Sequence, residues 1–335
     1  MESFVAIRDT TNPYQTQLVN ALSTHVGLRM FSWRAALLGK FDVLHVHWPE
    51  VLIRDRNLVR TSARRALFLV VLIRLRLSHI ALVQTLHNPA PHEPGTRIEG
   101  WLLRLCDRWT TSWIALNEFT SAPTDAPCTV IAHGHYRDWF IDHPVPDIEV
   151  GRLVYFGRIR RYKGVEDLLA AFRSLDNPAL TLRIVGSPDD EQVAAAVEAA
   201  AAADDRITAD LRHVSDAEAA SEIGRAALIV LPYRQLHNSG AALLALSLSR
   251  PVLLPQNEIT DALAQEVGPQ WLLRYRGAID APQLGAASES IRANPPGGAP
   301  DLSGRDWAQI GRAHAEAFER AANRARSTRR ASAGP

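Results

Sequence analysis

Cysteine is almost absent from this chain of 335 residues, which has two, Cys106 and Cys128. Their separation matches no metal-ligand spacing, and two thiols cannot build the cross-linked framework of a small secreted domain. A thiolate metal cluster and a disulfide scaffold are both excluded. Each cysteine lies among apolar residues and is expected to be a buried free thiol, in keeping with a reducing cytoplasm. An excess of one charge is also missing. The net charge is +1, which gives no electrostatic reason to expect a nucleic-acid partner. Long hydrophobic runs are lacking too: the longest, Ala66 to Ile73, falls far short of the roughly 20 residues that span a bilayer. Met1 to Arg8 has neither the basic start nor the small-residue cleavage site of a signal peptide, so a soluble or peripheral protein is expected. No fixed-period repeat is present. What remains is ordinary globular composition, 47% hydrophobic and 22% charged. At roughly 150 residues per domain, the length suits two domains.

Short β-branched runs alternate with helical patterns. In the first half Phe4–Ile7, Leu28–Trp33, Val43–Trp48, Ile80–His87, Ser112–Leu116 and Thr129–Ala132 read as strands. Tyr14–Ser23, Leu58–Leu77 and Arg97–Trp109 read as helices. In the second half the strands are Leu153–Gly157, Leu180–Val185, Leu228–Leu231 and Val252–Leu254. The helices there are Gly164–Leu175, Glu191–Ala202, Asp216–Gly224 and Gly240–Leu248. Alternation of this kind implies parallel sheets covered by helices on both faces. The expected division is one domain over 1–147, a second over 148–305, a C-terminal helix over 306–325 and a disordered tail over 326–335. Ligands of such sheets bind beyond the carboxyl ends of the strands, so residues just after strands are the ones to inspect.

One segment combines a strand, a basic loop and a helix: Val154-Tyr-Phe-Gly-Arg-Ile-Arg-Arg-Tyr-Lys-Gly-Val-Glu-Asp-Leu-Leu-Ala-Ala-Phe172. Gly157 permits a tight turn, and Arg158 and Lys163 place two cations at the sheet's carboxyl edge, where a diphosphate would be held. A solvated basic loop is the competing reading. Further on, Asn238-Ser-Gly240 opens a helix, and backbone N–H groups at Ser239 and Gly240 would offer an anion site, although Ser and Gly there also suit a plain helix cap.

These motifs resemble the donor-binding domain of the GT-B glycosyltransferases that use nucleotide sugars, where Gly-Arg and Lys-Gly precede an amphipathic helix. Leu182-Arg-Ile-Val-Gly186, Leu228-Ile-Val-Leu-Pro-Tyr-Arg234 and Arg250-Pro-Val-Leu-Leu254 continue the match in register. The resemblance implies an α/β fold of two doubly wound Rossmann-like domains facing a cleft. It assigns Arg158 and Lys163 to the donor diphosphate, with Gly157, Asn238, Ser239 and Gly240 around it. The two glutamates that many retaining members carry eight positions apart are replaced by Leu236 and Leu244, which counts against a retaining mechanism. No Asp-x-Asp motif follows a strand in this half, so transfer without a cofactor or bound metal is expected.

In the first half Thr10-Thr-Asn-Pro-Tyr-Gln15 follows a strand and opens a helix, either as an acceptor-side loop or as a proline-initiated helix start. Val46-His-Trp-Pro-Glu50 and Thr85-Leu-His-Asn-Pro-Ala-Pro-His-Glu93 also follow strands. Pro89, Pro91 and Pro94 stiffen the second loop. Ile131-Ala-His-Gly-His-Tyr136 ends the last strand. Transfer with inversion needs one general base at the acceptor hydroxyl, and His87, Glu93, Glu50 and Glu118 are the candidates. These short motifs look like bacterial exopolysaccharide and glycolipid enzymes, some of them the GDP-mannose:glycolipid β-mannosyltransferases. The expected function is therefore transfer of a hexose such as mannose from a nucleotide-diphosphate sugar to a glycan or lipid-linked acceptor. A GT-B nucleotide-sugar epimerase and a non-catalytic sugar-nucleotide module are the alternatives. A metal hydrolase built on His45 and His47 lacks a convincing carboxylate-bridged set. Between Arg54 and Arg76 lie Arg56, Arg60, Arg64, Arg65 and Arg74, with Leu67, Phe68, Val70, Val71 and Ile73 among them. This helix is expected either to attach the cytoplasmic protein to an anionic inner membrane face or to be a core helix with solvated arginines.

Overall fold

The computed structural model describes residues 2–5, 12–87 and 95–332, with backbone only for 2–5 and 328–332. The chain forms two compact units, one of residues 1–134 with 305–335 and one of residues 135–304. The partition falls at Gly134, earlier than the boundary expected at 147. The chain also returns to the first unit after Gly304.

The first unit runs β1 (Glu2–Val5), α1 (Pro13–Ser23), β2 (Gly27–Met30), α2 (Trp33–Leu38), β3 (Val43–Val46), α3 (Pro49–Ile53), α4 (Leu58–Leu77), β4 (Ala81–Leu86), α5 (Arg97–Trp109), β5 (Ser112–Ala115) and β6 (Cys128–Val130). The strands are parallel, in the order β2-β1-β3-β4-β5-β6. Strands β3, β4 and β5 are buried along their whole length, as a parallel sheet covered on both faces requires. The second unit runs β7 (Arg152–Phe156), α6 (Val165–Arg173), β8 (Thr181–Val185), α7 (Glu191–Ala203), β9 (Ile207–Asp210), α8 (Asp216–Gly224), β10 (Leu228–Val230), α9 (Gly240–Ser247), β11 (Val252–Pro255), α10 (Glu258–Val267), β12 (Leu272–Tyr275) and α11 (Ala281–Ala293). Its parallel order β12-β11-β10-β7-β8-β9 is that of a dinucleotide-binding fold. The α/β class with two parallel sheets is as the alternating pattern implies.

Helix starts follow local chemistry. Asn12 accepts from the N–H of Tyr14 ahead of Pro13, and Asn57 accepts from those of Val59 and Arg60. Ser215 with Glu218, Asn257 with Thr260 and Asp280 with Gln283 make reciprocal caps. The last helix, α12 (Trp307–Ser332), belongs to the first unit and packs on α1 and β4. It continues through the stretch where a disordered tail from 326 was expected. Its inward residues, Ala317, Phe318, Ala321, Ala322 and Ala325, sustain a helical stripe into the basic end. Cys128 also departs from expectation. Cys106 is buried on α5, but Cys128 is exposed, because it lies on β6, the edge strand.

Helix α4 divides its arginines. Phe68, Val71, Leu72 and Leu75 face the core. Arg54 and Arg65 both donate to Glu99 of α5, whose side chain is 4% exposed, at 2.6 and 3.1 Å. Arg64 pairs with Asp55 at 2.7 Å and donates to the carbonyl of Arg54. Arg74 donates to the carbonyls of Ala36 and Gly39, closing α2. Only Arg56, Arg60 and Arg76 of the group are exposed. Their neighbours on the outer face are Leu58, Val59, Val70, Ile73 and Leu77, with Leu58 83% and Leu77 74% exposed. The apolar face open to solvent is thus a different set from the one expected, since Phe68 and Val71 turn inward.

Glu99 ties α3, α4 and α5 through one buried carboxylate. Glu99→Ala would remove the buried carboxylate that Arg54 and Arg65 share, a change that costs about 3 kcal/mol. Its thermal unfolding is expected well below that of the parent, whereas Glu289→Ala at the exposed Arg292 pair should leave the melting temperature unchanged.

Candidate active site

In the second unit, the strand order reverses between β7 and β10, and the loops after these strands carry the basic motif. Gly157 follows β7 at φ 120°, a conformation that favours glycine, and its N–H donates to Val185 at 3.0 Å. A methyl group on Gly157 would lie 3.7 Å from Lys163 Nζ and 3.9 Å from Cβ of Ala241, so strand end, lysine and the first turn of α9 converge. Lys163 sits in a short 3₁₀ turn, and Gly164 in the left-handed region leads from it into α6. Its ammonium lies over the Tyr233 ring at 5.1 Å. Burial lowers its pKa, and it makes no ion pair among the described residues. It is one of two lysines in a chain otherwise supplied with arginine.

The arginines of this loop are engaged. Arg158 donates from Nε and Nη2 to Asp189 Oδ1 at 3.1 and 2.5 Å, and Arg160 donates to Oδ2 at 2.5 Å. Arg161 pairs with Asp190 at 2.7 Å. Burial pushes the Asp189 carboxyl up, but hydrogen bonds from Arg158 and Arg160 outweigh it and hold the pKa below the usual range. The basic loop is therefore fastened to the loop after β8, and Lys163 is the cation left at the strand end. Ser239 caps α9 by accepting from the Ala242 N–H at 3.1 Å, as an ordinary cap does. Burial raises the Tyr233 phenol to about 12, opposed by a hydrogen bond with Ser239. Asn238 and Gly240 are half-buried beside it, Leu236 is buried and Leu244 half-buried. No carboxylate stands where the expected glutamates are replaced.

The first unit reverses its strand order between β1 and β3, and a cluster of imidazoles lies past β3 and β4. His45 Nε2 is 2.7 Å from Thr85 Oγ1. His47 Nδ1 is 2.9 Å from His87 Nε2. Trp48 stacks on His87 with ring centres 4.2 Å apart, and Tyr14 stands edge-on to both His47 and His87. His133 is 4.4 Å from Tyr14, which also meets Trp307 at 5.6 Å. His314 of α12 donates from Nδ1 to the carbonyl of Ile310 at 2.8 Å and lies 5.9 Å from His45. Trp307 and His314 are members that motif reading missed, because both come from a segment whose own pattern announces only a helix, whereas Tyr14 belongs to the Thr10–Gln15 motif.

Burial lowers the pKa of all five imidazoles. It brings His47 to about 3 and both His133 and His314 to about 4. His45 and His87 are lowered by burial first and by their imidazole neighbours second. The cluster is neutral at physiological pH. Among the described residues no group of three His, Cys, Asp or Glu is arranged to hold a metal ion.

Glu50, on the first turn of α3, is half-buried, and burial raises its pKa. The charges acting on it are Arg54, Glu99 and Asp107, so it faces α5, and no described contact joins it to the imidazoles. Glu118 is exposed beyond β5. Glu93, with the proline-framed loop from Asn88 to Pro94 and Thr10 and Thr11, lies outside the described residues.

Two parallel-sheet units of this kind, one with a cationic loop at its strand-order reversal, define a GT-B glycosyltransferase. Solved structures agree on the fold. Anabaena HepE in complex with UDP is similar over all of both chains, with 12% identity and a TM-score of 0.59. Sucrose-phosphate synthase from Thermosynechococcus elongatus is similar over the same share, with 15% identity and a TM-score of 0.59. The family model "Glycosyl transferases group 1" matches residues 151–275. Two curated relatives from Xanthomonas campestris pv. campestris, each named GDP-mannose:glycolipid 4-beta-D-mannosyltransferase, are 49% and 48% identical over 305 residues, 91% of this chain and 87% of theirs. The chain belongs to the same glycosyltransferase family as these enzymes.

The neutral imidazoles make stability depend on pH with a definite sign. Above about pH 6.5 neither the folded nor the unfolded state protonates them. Below it the unfolded chain takes up protons that the folded unit refuses, and stability falls by up to about 1.4 kcal/mol per pH unit for each imidazole until its folded value is reached, about 3 for His47 and about 4 for His133 and His314. Denaturation midpoints should drop steeply from pH 6.5 to 5. His45→Leu should flatten that slope, and an unchanged slope would show that the cluster is not buried in solution.

Proposed function

We propose that the enzyme transfers mannose from GDP-mannose to the sugar of a glycolipid acceptor, with a β-linked product. The observation that carries this is the high identity to the named relatives across both units, joined to Lys163 at the strand-order reversal of the second unit. The second unit would hold the donor. Lys163 and the N–H groups at the start of α9 would neutralise the departing diphosphate, so no metal is needed for leaving-group stabilisation. Arg158 would join them by exchanging Asp189 for a phosphate oxygen.

The first unit would receive the acceptor. GDP-mannose is an α-linked donor, so a β product requires a single inverting displacement. A base takes the acceptor hydroxyl proton, the oxygen bonds to the anomeric carbon, and the bond to the diphosphate breaks on the opposite face. His87, Glu93 and Glu50 are the groups proposed around the acceptor.

The enzyme is proposed to work at the inner, cytoplasmic face of a membrane. No described helix is long and apolar enough to cross one. The outer face of α4 instead offers Leu58, Val59, Val70, Ile73 and Leu77 beside Arg56, Arg60 and Arg76, which suits a shallow contact with anionic lipid.

Two measurements test this reading. Lys163→Ala should raise the dissociation constant for GDP at least about ten-fold, since a charge-assisted hydrogen bond contributes about 1.5–3 kcal/mol. Unchanged calorimetric binding would remove Lys163 from the donor site, and failure to transfer mannose to a glycolipid acceptor would overturn the substrate assignment. In flotation, the protein should follow anionic vesicles and not neutral ones, with binding weakened by salt. Val70→Glu with Ile73→Glu should abolish binding. Arg64 and Arg65 are unsuitable probes, because their ion pairs hold the fold.

A further inference from the structure

A cavity of about 650 Å³ opens in the first unit at the amino ends of β4, β5 and β6, the sheet edge opposite the imidazole cluster. That volume suits a small-molecule ligand. The six residues of β4 separate this edge from His87, about 20 Å at roughly 3.3 Å per residue. A ligand held here is therefore remote from the sugars that react.

The lining is amphipathic. Leu72 and Leu75 of α4 and Trp109 of α5 supply an apolar wall. Arg76 and Arg108, from the last turns of the same two helices, stand beside it, and Arg324 of α12 joins them. Arg64, Arg65 and Arg74 of α4 are matched inside the unit, but Arg76 and Arg108 are exposed and make no ion pair or side-chain hydrogen bond among the described residues. Asp125 is the one described carboxylate in the lining, and it pairs with neither. The carboxyl ends of α4 and α5 add about half a negative charge each, so three guanidinium groups still leave the cavity positive. His79 closes α4 at φ 53°, where the N–H of Ile80 donates to the carbonyl of Leu75 at 3.0 Å. Glycine fits that left-handed turn with less strain, and the imidazole kept there lines the cavity.

An apolar stripe leads to this point. Val59, Ala63, Ala66, Val70, Ile73 and Leu77 recur alternately four and three residues apart along α4, all exposed, and the stripe ends beside Arg76. Pairing of this stripe with a second copy of the chain would bring Arg60 and Arg76 against their own kind, whereas an anionic surface would match them.

We propose that the cavity holds the headgroup of one acidic phospholipid, with its phosphate on Arg76 and Arg108 and its glycerol and first acyl carbons against Leu72, Leu75 and Trp109. A guanidinium fork suits phosphate oxygens, and the apolar wall suits the adjoining chain. The choice of a lipid rests on the proposed membrane contact of α4, but the pairing of an anion with the two arginines does not.

Calorimetry on the full chain with dihexanoylphosphatidylglycerol, kept below its micelle concentration, tests the site without a membrane. The lipid should bind at least about ten-fold more tightly than inorganic phosphate or dihexanoylphosphatidylcholine. Arg76→Gln and Arg108→Gln should each weaken it about ten-fold with the melting temperature unchanged, and Arg60→Gln, at the other end of α4, should leave it alone. No binding of the short-chain lipid would overturn the proposal, as would phosphate binding as tightly as the lipid, which marks a soluble-anion site. Flotation with phosphatidylglycerol vesicles is the second readout. Arg76→Gln with Arg108→Gln should weaken binding about ten-fold more than Arg56→Gln with Arg60→Gln, which removes the same charge. Equal losses would show attraction by charge alone and overturn the site. If the wild type ignores the vesicles but binds the short-chain lipid, the membrane reading falls and the site stands.

Discussion

A parallel sheet has to be covered on both faces, and that constraint organises this enzyme. Strands such as Val43–Val46 and Ala81–Leu86 are buried from end to end, so their flanks have little room for exposed polar chemistry. Chemistry is displaced to the loops beyond their carboxyl ends. There His47, Trp48 and His87 follow β3 and β4, and Gly157 and Lys163 follow β7. The reversal of strand order opens the sheet edge where those loops diverge, and each unit places its functional candidates at that point.

The two units use burial in opposite ways. In the second, burial works against a charge that remains. Lys163 is enclosed by Tyr233 and the start of α9 and has no counter-ion among the described residues, so an arriving diphosphate would regain the electrostatic energy that desolvation removed. The arginines around it are already matched with Asp189 and Asp190, which keeps the loop ordered without a ligand. In the first unit, burial removes charge. Five imidazoles pack among Tyr14, Trp48, Trp307 and Phe318, and none can be protonated near neutral pH without cost. Such a cluster is suited to fixing proton positions, and its hydrogen bonds act through direction more than through charge.

Helix α4 shows how a single segment divides between structure and surface. Its arginines look alike in sequence, but Arg65 neutralises Glu99, Arg64 neutralises Asp55, and Arg74 satisfies the last carbonyls of α2. Because these partners come from α2, α5 and the preceding loop, the helix cannot rotate its basic side freely. The face left over carries Val59, Val70, Ile73 and Leu77.

The sequence by itself determined the alternation of strands and helices, the limits of α4, α5 and α8, and the strand–Gly–Arg–Lys–Gly loop that marks the family. These are local signals: a hydrophobic period, a cap, a glycine where the backbone must turn. The expected elements do not extend to α10, β12 and α11, although Ile259, Leu263 and Val267 of α10 recur at helical spacing. Only the tertiary structure decided that α12 returns to the first unit, bringing His314 and Trp307 to Tyr14 and His47. It also decided that Arg158 is matched by Asp189 and that Glu50 faces Glu99 and Asp107. Those pairings join segments tens to hundreds of residues apart. A side chain's charge and direction there depend on which neighbours the packed sheet supplies, and no motif of fixed spacing encodes that.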